Sequence, residues 1–153
     1  MSKLHQMVSF KGLVKLILLF VMSMSLSASA MAQSADAAIS VARQWLTLAD
    51  TDQAGQMWEQ SSTLMKSQSD RNTWIGYIGD MHTQLGRSLD ARVWQAMEHQ
   101  IDHPDLPHGE FVSVTFVSGY AKARAWERVA LVWQGERWVP VGYQYGAITP
   151  AAK

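Results

Sequence analysis

The spacing of apolar residues changes from a helical period to a strand period along this chain. Up to about residue 86, apolar residues recur every three or four positions, which indicates amphipathic helices. From Gly109 to Gly146, apolar and polar residues alternate instead, which indicates strands with one buried face. Helices followed by antiparallel strands predict an α+β fold, with N-terminal helices packed on a curved antiparallel sheet of about four strands.

Three helices are predicted in the first half of the chain. They run from about Ser34 to Ala49, from Ala54 to Met65 and from Arg71 to Leu85. A serine or aspartate lies at or just before the start of each, where its side chain can cap the helix. Gly86 follows the last apolar residue of the third helix, a position where a C-terminal glycine is favoured.

The strand half begins with an ambiguous segment. We interpret Ser88 to Ile101 as the first strand, although Gln95–Gln100 is equally compatible with a helix by propensity. The turn-rich segment Asp102–Gly109 then leads into a three-stranded meander, whose last hairpin turn is Gln134–Arg137. Because Pro140 cannot donate a ladder hydrogen bond, we expect the last strand to lie at an edge of the sheet or to be bulged there.

The N-terminal segment has the layout of a secretory signal. Lys3, Lys11 and Lys15 precede a short apolar run, Leu16–Leu26, and small residues then allow cleavage after Ala32. The run is shorter than the roughly 20 residues that span a bilayer, so an uncleaved anchor is the less favoured alternative. We expect residues 1–32 to be a cleaved signal peptide and residues 33–153 to be a single periplasmic domain.

Composition excludes several classes of function. All 13 acidic residues but only 10 of the 13 basic ones lie in residues 33–153, so that part has a net charge of −3. An acidic surface is a poor match for nucleic acid, and no membrane contact is expected after signal cleavage. The chain has no cysteine, which excludes disulfides and thiol chemistry. No P-loop or dinucleotide-binding glycine pattern is present, and no cofactor is expected.

Several residues together resemble a known family. An ordered series of tryptophan, glycine and charged residues is followed by a strand pattern: Trp45, Asp50, Trp58, Trp74, Gly86, Arg92, then Pro107, Gly109-Glu110-Phe111, Glu127, Val129, Leu131, Trp138 and Gly142-Tyr143. This order, from about Ala35 to Tyr143, resembles the bacterial exported family of domain of unknown function 4019. The resemblance implies a helix-plus-curved-sheet fold, similar to the cystatin-like and nuclear-transport-factor-2-like cones. It implies no activity, because the family has none assigned, and His103 and His108 depart from the family's usual acidic loop.

Arg92 and Glu127 are charged residues among apolar neighbours on predicted strands. Because an isolated buried charge is costly, we predict that they pair across the sheet as a structural salt bridge. The alternative is an anchor for an anionic ligand at the mouth of the cone.

Three histidines, His99, His103 and His108, lie close together in sequence among carboxylates. Imidazole and carboxylate groups suit Zn²⁺, Cu²⁺ or Ni²⁺, but the spacing matches no defined ligand set. The segment is therefore interpreted either as a metal site or as a solvated polar loop.

The aromatic residues have two interpretations, as core or as the lining of a ligand pocket. The candidate ligand-binding residues are Arg92, Glu127, Tyr143 and Trp126. The favoured function is a periplasmic non-catalytic binding or interaction domain, whose partner is a protein or a small apolar ligand, with a homodimer also considered. The alternative is a small acid–base enzyme that uses a carboxylate of raised pKa beside a tyrosine. The candidate pairs for such chemistry combine Asp80, Asp90 or Glu127 with Tyr77, Tyr120 or Tyr143.

Overall fold

The computed structural model describes residues 34–87 and 89–149. Four helices come first: α1 (Ala35–Asp50), α2 (Ala54–Gln60), α3 (Thr63–Gln68) and α4 (Arg71–Leu85). Four strands follow: β1 (Leu89–Ile101), β2 (Glu110–Tyr120), β3 (Arg124–Gln134) and β4 (Arg137–Ala147). The strands form one antiparallel sheet in the order β1-β2-β3-β4, so the α+β prediction is confirmed.

The first and last helices begin and end near the predicted residues. Ser34 caps α1 by accepting a hydrogen bond from the Ala37 amide. Asp70 caps α4 by accepting hydrogen bonds from the Asn72 and Thr73 amides, at 2.9 and 3.0 Å. Gly86 ends α4 with a φ of +88°, which a residue with a Cβ adopts only with strain.

The predicted helix from Ala54 to Met65 is wrong in its continuity, because the structure divides it into α2 and α3. Ser61 and Ser62 both have extended backbone between the two helices. The Ser62 hydroxyl accepts from the Met65 amide, which starts α3, while the Ser62 amide donates 2.8 Å to the Pro140 carbonyl. The break therefore serves to attach α3 to β4.

The strand assignments are confirmed, and Gln95–Gln100 is part of β1 rather than a helix. In the hairpin between β3 and β4, Gly135 and Glu136 have φ values of +57° and +61°, as a type I′ turn requires. β4 lies at one edge, and its register with β3 shifts beside the pair Leu131–Pro140. Both expectations for Pro140 are therefore met.

The core lies between the helices and one face of the sheet. Paired residues on neighbouring antiparallel strands project to the same face. The face toward the helices carries alternate buried residues of β2 and β3: Val112, Val114, Phe116, Ser118, Tyr120, Glu127, Val129 and Leu131. Against it pack the buried positions of α1, α2 and α4, including Trp45, Leu46, Met57, Trp74, Ile78 and Met81. We call this the helix-side face, and the opposite one the far face.

The strand β1 forms the other edge of the sheet and is much less covered than β2 and β3. Val93, Trp94 and Ile101 are large apolar residues with 55, 45 and 65% of their surfaces exposed. We call these three residues the β1 margin.

The predicted signal peptide, residues 1–32, lies outside the described residues. Within the described part of the chain, no helix has the length and apolar character needed to cross a membrane.

Candidate functional site

The carboxylate of Glu127 lies fully buried on the helix-side face, where it accepts hydrogen bonds from four side chains. Tyr120 and Tyr143 donate their hydroxyls to its Oε1 at 2.8 and 2.7 Å. Ser118 donates to its Oε2, and Arg92 Nε donates to the same oxygen at 3.0 Å. Strand alternation explains this convergence, because Ser118 and Tyr120 are two positions apart on β2 and share the face of Glu127.

Arg92 links this carboxylate to the helical layer. Its Nη1 and Nη2 donate to the two carboxylate oxygens of Asp50, at 2.8 and 3.1 Å. Only 5% of the Arg92 side chain and 15% of the Asp50 side chain are exposed. Asp50 is the last residue of α1, so the guanidinium connects the end of that helix to β3 through β1. The predicted Arg92–Glu127 salt bridge is confirmed.

The electrostatics keep this cluster ionised. Burial alone would raise the pKa of Glu127, but the positive charge of Arg92 and the hydrogen bonds from Ser118, Arg92 and Tyr143 hold it below its ordinary value of 4.5. Burial would lower the pKa of Arg92, yet its bonds to Asp50 and the charge of Glu127 raise it. The Glu127 carboxylate and the Arg92 guanidinium therefore stay charged, and the three hydroxyl donors help to stabilise the carboxylate.

The same geometry bears on the acid–base alternative. Glu127 does contact two tyrosines, as that alternative requires, but its pKa is lowered rather than raised. Burial and the neighbouring Glu127 charge raise the pKa of both Tyr120 and Tyr143, so the hydroxyls keep their protons and donate them in hydrogen bonds. In this state the carboxylate is an acceptor with its oxygens occupied.

The structure assembles three of the four candidate ligand-binding residues. Arg92, Glu127 and Tyr143 meet in the cluster, whereas Trp126 lies on the far face, where its indole covers Gly146. A Cβ added at Gly146 would lie 2.5 Å from Trp126 Nε1, which shows how closely the ring packs on that backbone. Because neighbouring residues on a strand project to opposite faces, Trp126 and Glu127 cannot share a site.

The sequence interpretation missed two members of the cluster, Asp50 and Ser118, and it named Tyr120 only as a candidate acid–base partner of Glu127. Asp50 carried a usable signal, since an acidic residue at a helix C-terminus is unfavourable unless a cation is nearby. Ser118 carried a weaker one, as a polar residue between Phe116 and Tyr120 on the buried face. Neither signal identifies Arg92 as the partner, because the residues are far apart in sequence.

The aromatic residues divide between core and surface. Trp45, Trp74, Trp138, Tyr120 and Tyr143 belong to the core, and Trp58 and Trp133 pack against it, so for these the core interpretation is confirmed. Trp94 and Trp126 are exposed, at 45 and 37%.

The three histidines of the candidate metal site pair separately with carboxylates. His99 Nε2 lies 2.7 Å from Glu110, His108 Nδ1 lies 3.3 Å from Asp102, and His103 Nδ1 lies 4.0 Å from Asp105. Among residues 34–87 and 89–149, no three histidine or carboxylate side chains are grouped closely enough to hold a metal ion. The metal hypothesis stays a prediction that calorimetry can test: removing all three histidines should abolish any affinity, and an unchanged isotherm would refute it.

The described surface has hollows that the Glu127 side chain does not line. One, of about 350 Å³, lies on the far face beside the β1–β2 loop. A second, of about 310 Å³, adjoins it over β3 and β4, and shares Ser113 and Ala130 with it. The third, of about 530 Å³, lies between α1, the α2–α3 junction and the start of β4. Glu127 lines none of these three hollows.

These features define a class: an α+β domain with helices on one face of an open antiparallel sheet and a buried ionic cluster joining the layers. A family model described as protein of unknown function (DUF4019) matches residues 41–143, which is more than half of the chain. The chain therefore belongs to the DUF4019 family. No curated protein and no solved structure gives a significant match.

Proposed function

We propose that this chain is a periplasmic, non-catalytic protein-interaction domain that binds its partner along the β1 margin. The observation that carries the proposal is the position of the exposed large apolar residues. Of the six in the described residues, Val93, Trp94 and Ile101 are on β1 itself. Trp94 and Ile101 project to the helix-side face and Val93 projects to the far face, so the three residues lie along one edge of the sheet. Large apolar residues exposed along one edge of a small domain are typical of an interaction site.

The edge of β1 offers backbone groups as well as side chains. β1 pairs with β2 on one side, and among the described residues no strand pairs with its other side. An extended segment of a partner can add to such an edge through main-chain hydrogen bonds. Part of the edge is already used, because Arg43 Nη1 donates to the Arg92 carbonyl at 3.2 Å. The partner strand would therefore pair beyond Arg92, along the stretch that carries Trp94 and Ile101.

The buried cluster supports a binding rather than a catalytic role. Glu127, the candidate proton-transfer residue with tyrosines in contact, is held ionised and lines none of the three hollows. Its four donor side chains, together with Asp50 bound to Arg92, link the two layers of the fold. The cluster thus stabilises the sheet whose margin is exposed.

The periplasmic location rests on the sequence of residues 1–32. The basic start, the short apolar run and the small residues at the cleavage position support export and cleavage after Ala32. The helix-plus-sheet arrangement is also compatible with a cystatin-like or nuclear-transport-factor-2-like cone. Cell fractionation with N-terminal sequencing tests the location: we expect a periplasmic product beginning at Gln33, and a cytoplasmic product beginning at Met1 would refute it.

Photo-crosslinking in the host cell tests the interaction. A photoreactive residue at Trp94 should give a discrete adduct, whereas the same residue at Ile75, an exposed apolar position on α4, should not. An adduct of twice the chain's mass would identify a second copy of this chain as the partner. Identical adduct patterns from the two positions, or none from Trp94, would refute binding at the β1 margin.

A further inference from the structure

The hollow of about 350 Å³ on the far face combines an apolar lining with negative charge. Its volume falls within the range of about 300–1,000 Å³ typical of small-molecule sites. We call it the acidic groove, and its relevant lining residues are Glu98, Asp105, Leu106, Phe111, Ser113 and Ala130. It does not involve the β1 margin residues, so the inference drawn from it goes beyond the proposed protein interaction.

The register of the sheet explains why a groove forms there. Glu98 pairs with Ser113, and Ser113 pairs with Ala130, so the three side chains stand in one row across the far face. Ser113 and Ala130 are short and leave space above the sheet. In the next row, Phe111 is large and only 8% exposed, and it forms an apolar wall.

The β1–β2 loop closes one side of the groove. It contributes Asp105 and Leu106, and Leu106 is 37% exposed. The loop is fixed at its base, where the Asp102 amide donates 2.9 Å to the Gly109 carbonyl and the Gly109 amide donates 2.9 Å to the Asp102 side chain. The two carboxylates, Glu98 from the strand and Asp105 from the loop, therefore lie on elements that are held together.

The charge of the groove specifies the kind of ligand. Glu98 and Asp105 are the charged residues that line it, and none of its described lining residues is basic. His103 lies 4.0 Å from Asp105, and Arg128 lines the adjoining hollow rather than this one. We propose that the acidic groove binds a small organic ammonium ion with an apolar body, its ammonium group between Glu98 and Asp105 and its body against Phe111 and Leu106.

The affinity should be modest and sensitive to salt. Exposed ion pairs contribute little individually, so the apolar contact with Phe111 and Leu106 supplies much of the binding. Removing both carboxylates should weaken binding by about tenfold rather than abolish it. Raising the ionic strength should also weaken the binding of the ammonium ion, because exposed charges are screened by salt.

An NMR titration of the purified chain with phenethylammonium, and separately with 3-phenylpropionate, tests the proposal. Phenethylammonium should give saturable shifts at the amides of Ser113 and Ala130, and the anion of similar size should not. Glu98→Gln with Asp105→Asn should weaken the binding of phenethylammonium by about tenfold. Asp80→Asn with Glu136→Gln, which removes two exposed charges elsewhere, should leave it unchanged.

A second variant tests the location by shape. Ala130→Leu should fill the floor of the groove and abolish the shifts, with an unchanged circular dichroism spectrum showing that the chain is folded. The proposal is overturned if phenethylammonium gives no saturable shift or if the anion binds equally well. It is also overturned if the two carboxylate pairs behave alike. Each result is independent of the crosslinking at Trp94, so the two proposals can fail separately.

Discussion

At the scale of single residues, Glu127 is the feature that most needs a physical explanation. A carboxylate that is fully removed from water costs several kcal/mol unless charge and hydrogen bonds compensate it. Here Arg92 supplies the opposite charge, and Ser118, Tyr120 and Tyr143 supply neutral donors. The arrangement is stable only as a complete set, because each partner removed leaves another buried group without compensation.

Glu127→Gln should therefore lower the free energy of unfolding by about 3–5 kcal/mol. The amide has a similar shape, but it removes the negative charge beside Arg92 and replaces one of the two accepting oxygens with an NH₂ donor. Denaturant unfolding followed by tryptophan fluorescence measures the change, and Glu136→Gln on the exposed hairpin serves as the control, with an expected change of less than about 0.5 kcal/mol. A melting temperature equal to that of the wild type would contradict the structural role of the cluster.

The lowered pKa of Glu127 predicts how stability depends on pH. Between its ordinary value of 4.5 and its lower value in the folded chain, the unfolded chain binds a proton that the folded chain does not. Stability therefore rises with pH across this window: the contribution is complete above about pH 4.5 and is lost as the pH falls through the folded value. The wild type should lose more stability than Glu127→Gln when the pH is lowered from about 6 to about 3.

The comparison of the two proteins isolates Glu127 from other titrating groups. Burial and the charge of Arg87 lower the pKa of His82 below 6.5. His82 therefore reduces the stability of both proteins as the pH falls below about 6.5. Hydrogen bonds lower the pKa values of Asp70 and Asp102, and these two residues affect the acid stability of both proteins in the same way. Parallel curves of unfolding free energy against pH would show that Glu127 is protonated equally in the folded and unfolded chains.

At the scale of secondary structure, the ends of the elements decide how the two layers meet. Gly86 ends α4 at a φ of +88°, and a Cβ added there would lie 2.8 Å from the Ala121 Cβ and 3.1 Å from the Lys122 amide nitrogen. The Lys122 amide also donates 2.9 Å to the Leu85 carbonyl. The close approach of α4 to the β2–β3 turn therefore depends on glycine at this position.

Gly86→Ala should destabilise the chain by about 1–3 kcal/mol, through backbone strain and the contact with Ala121. Gly79→Ala is the matched control, since nothing lies within 4 Å of an added Cβ in the exposed middle of α4. That change should stabilise the chain by about 0.5–1 kcal/mol because alanine favours the helix. Thermal unfolding measures both changes. The proposed constraint at Gly86 is refuted if the two variants change the stability equally, or if Gly86→Ala is stabilising.

The helices and strands were largely predictable from the sequence, whereas the bonds between residues distant in sequence were not. The caps at Ser34 and Asp70, the hairpin at Gly135 and the irregularity at Pro140 each follow from a local rule about one residue type. The break at Ser61–Ser62 depends on a bond from Ser62 to Pro140, which is distant in sequence. Local periodicity holds no information on such a bond, and it could not show that Asp50 would meet Arg92 either.

At the scale of the whole molecule, the ionic cluster joins the helical layer to the sheet. Asp50 ends α1, Arg92 is on β1 and Glu127 is on β3. The hydroxyl donors come from β2 and β4, so one helix and all four strands share one network. The helices cover β2 and β3 on one face, whereas β1 keeps large apolar residues exposed. The molecule thus has a tightly connected interior beside an open sheet margin.

Asp50→Asn should lower the free energy of unfolding by less than Glu127→Gln does. Losing charge-assisted hydrogen bonds to Arg92 costs about 1.5–3 kcal/mol, and removing an anion from a helix C-terminus returns about 0.3–1 kcal/mol. The expected net loss is about 1–2 kcal/mol, measured by denaturant unfolding against Asp80→Asn as control. A loss as large as that of Glu127→Gln would show that Asp50 is as essential to the cluster as the fully buried carboxylate.

The central claim, that the β1 margin is the surface on which a partner binds, can be tested most directly by quantitative capture. The tagged chain is recovered from periplasmic extract, and co-purifying proteins are quantified by mass spectrometry for the wild type, for Val93→Ser with Trp94→Ser, and for Ile75→Ser. We expect a specific partner, in stoichiometric amount, with the wild type and with Ile75→Ser, and its loss from the double variant. A partner retained equally by all three folded proteins would contradict the claim.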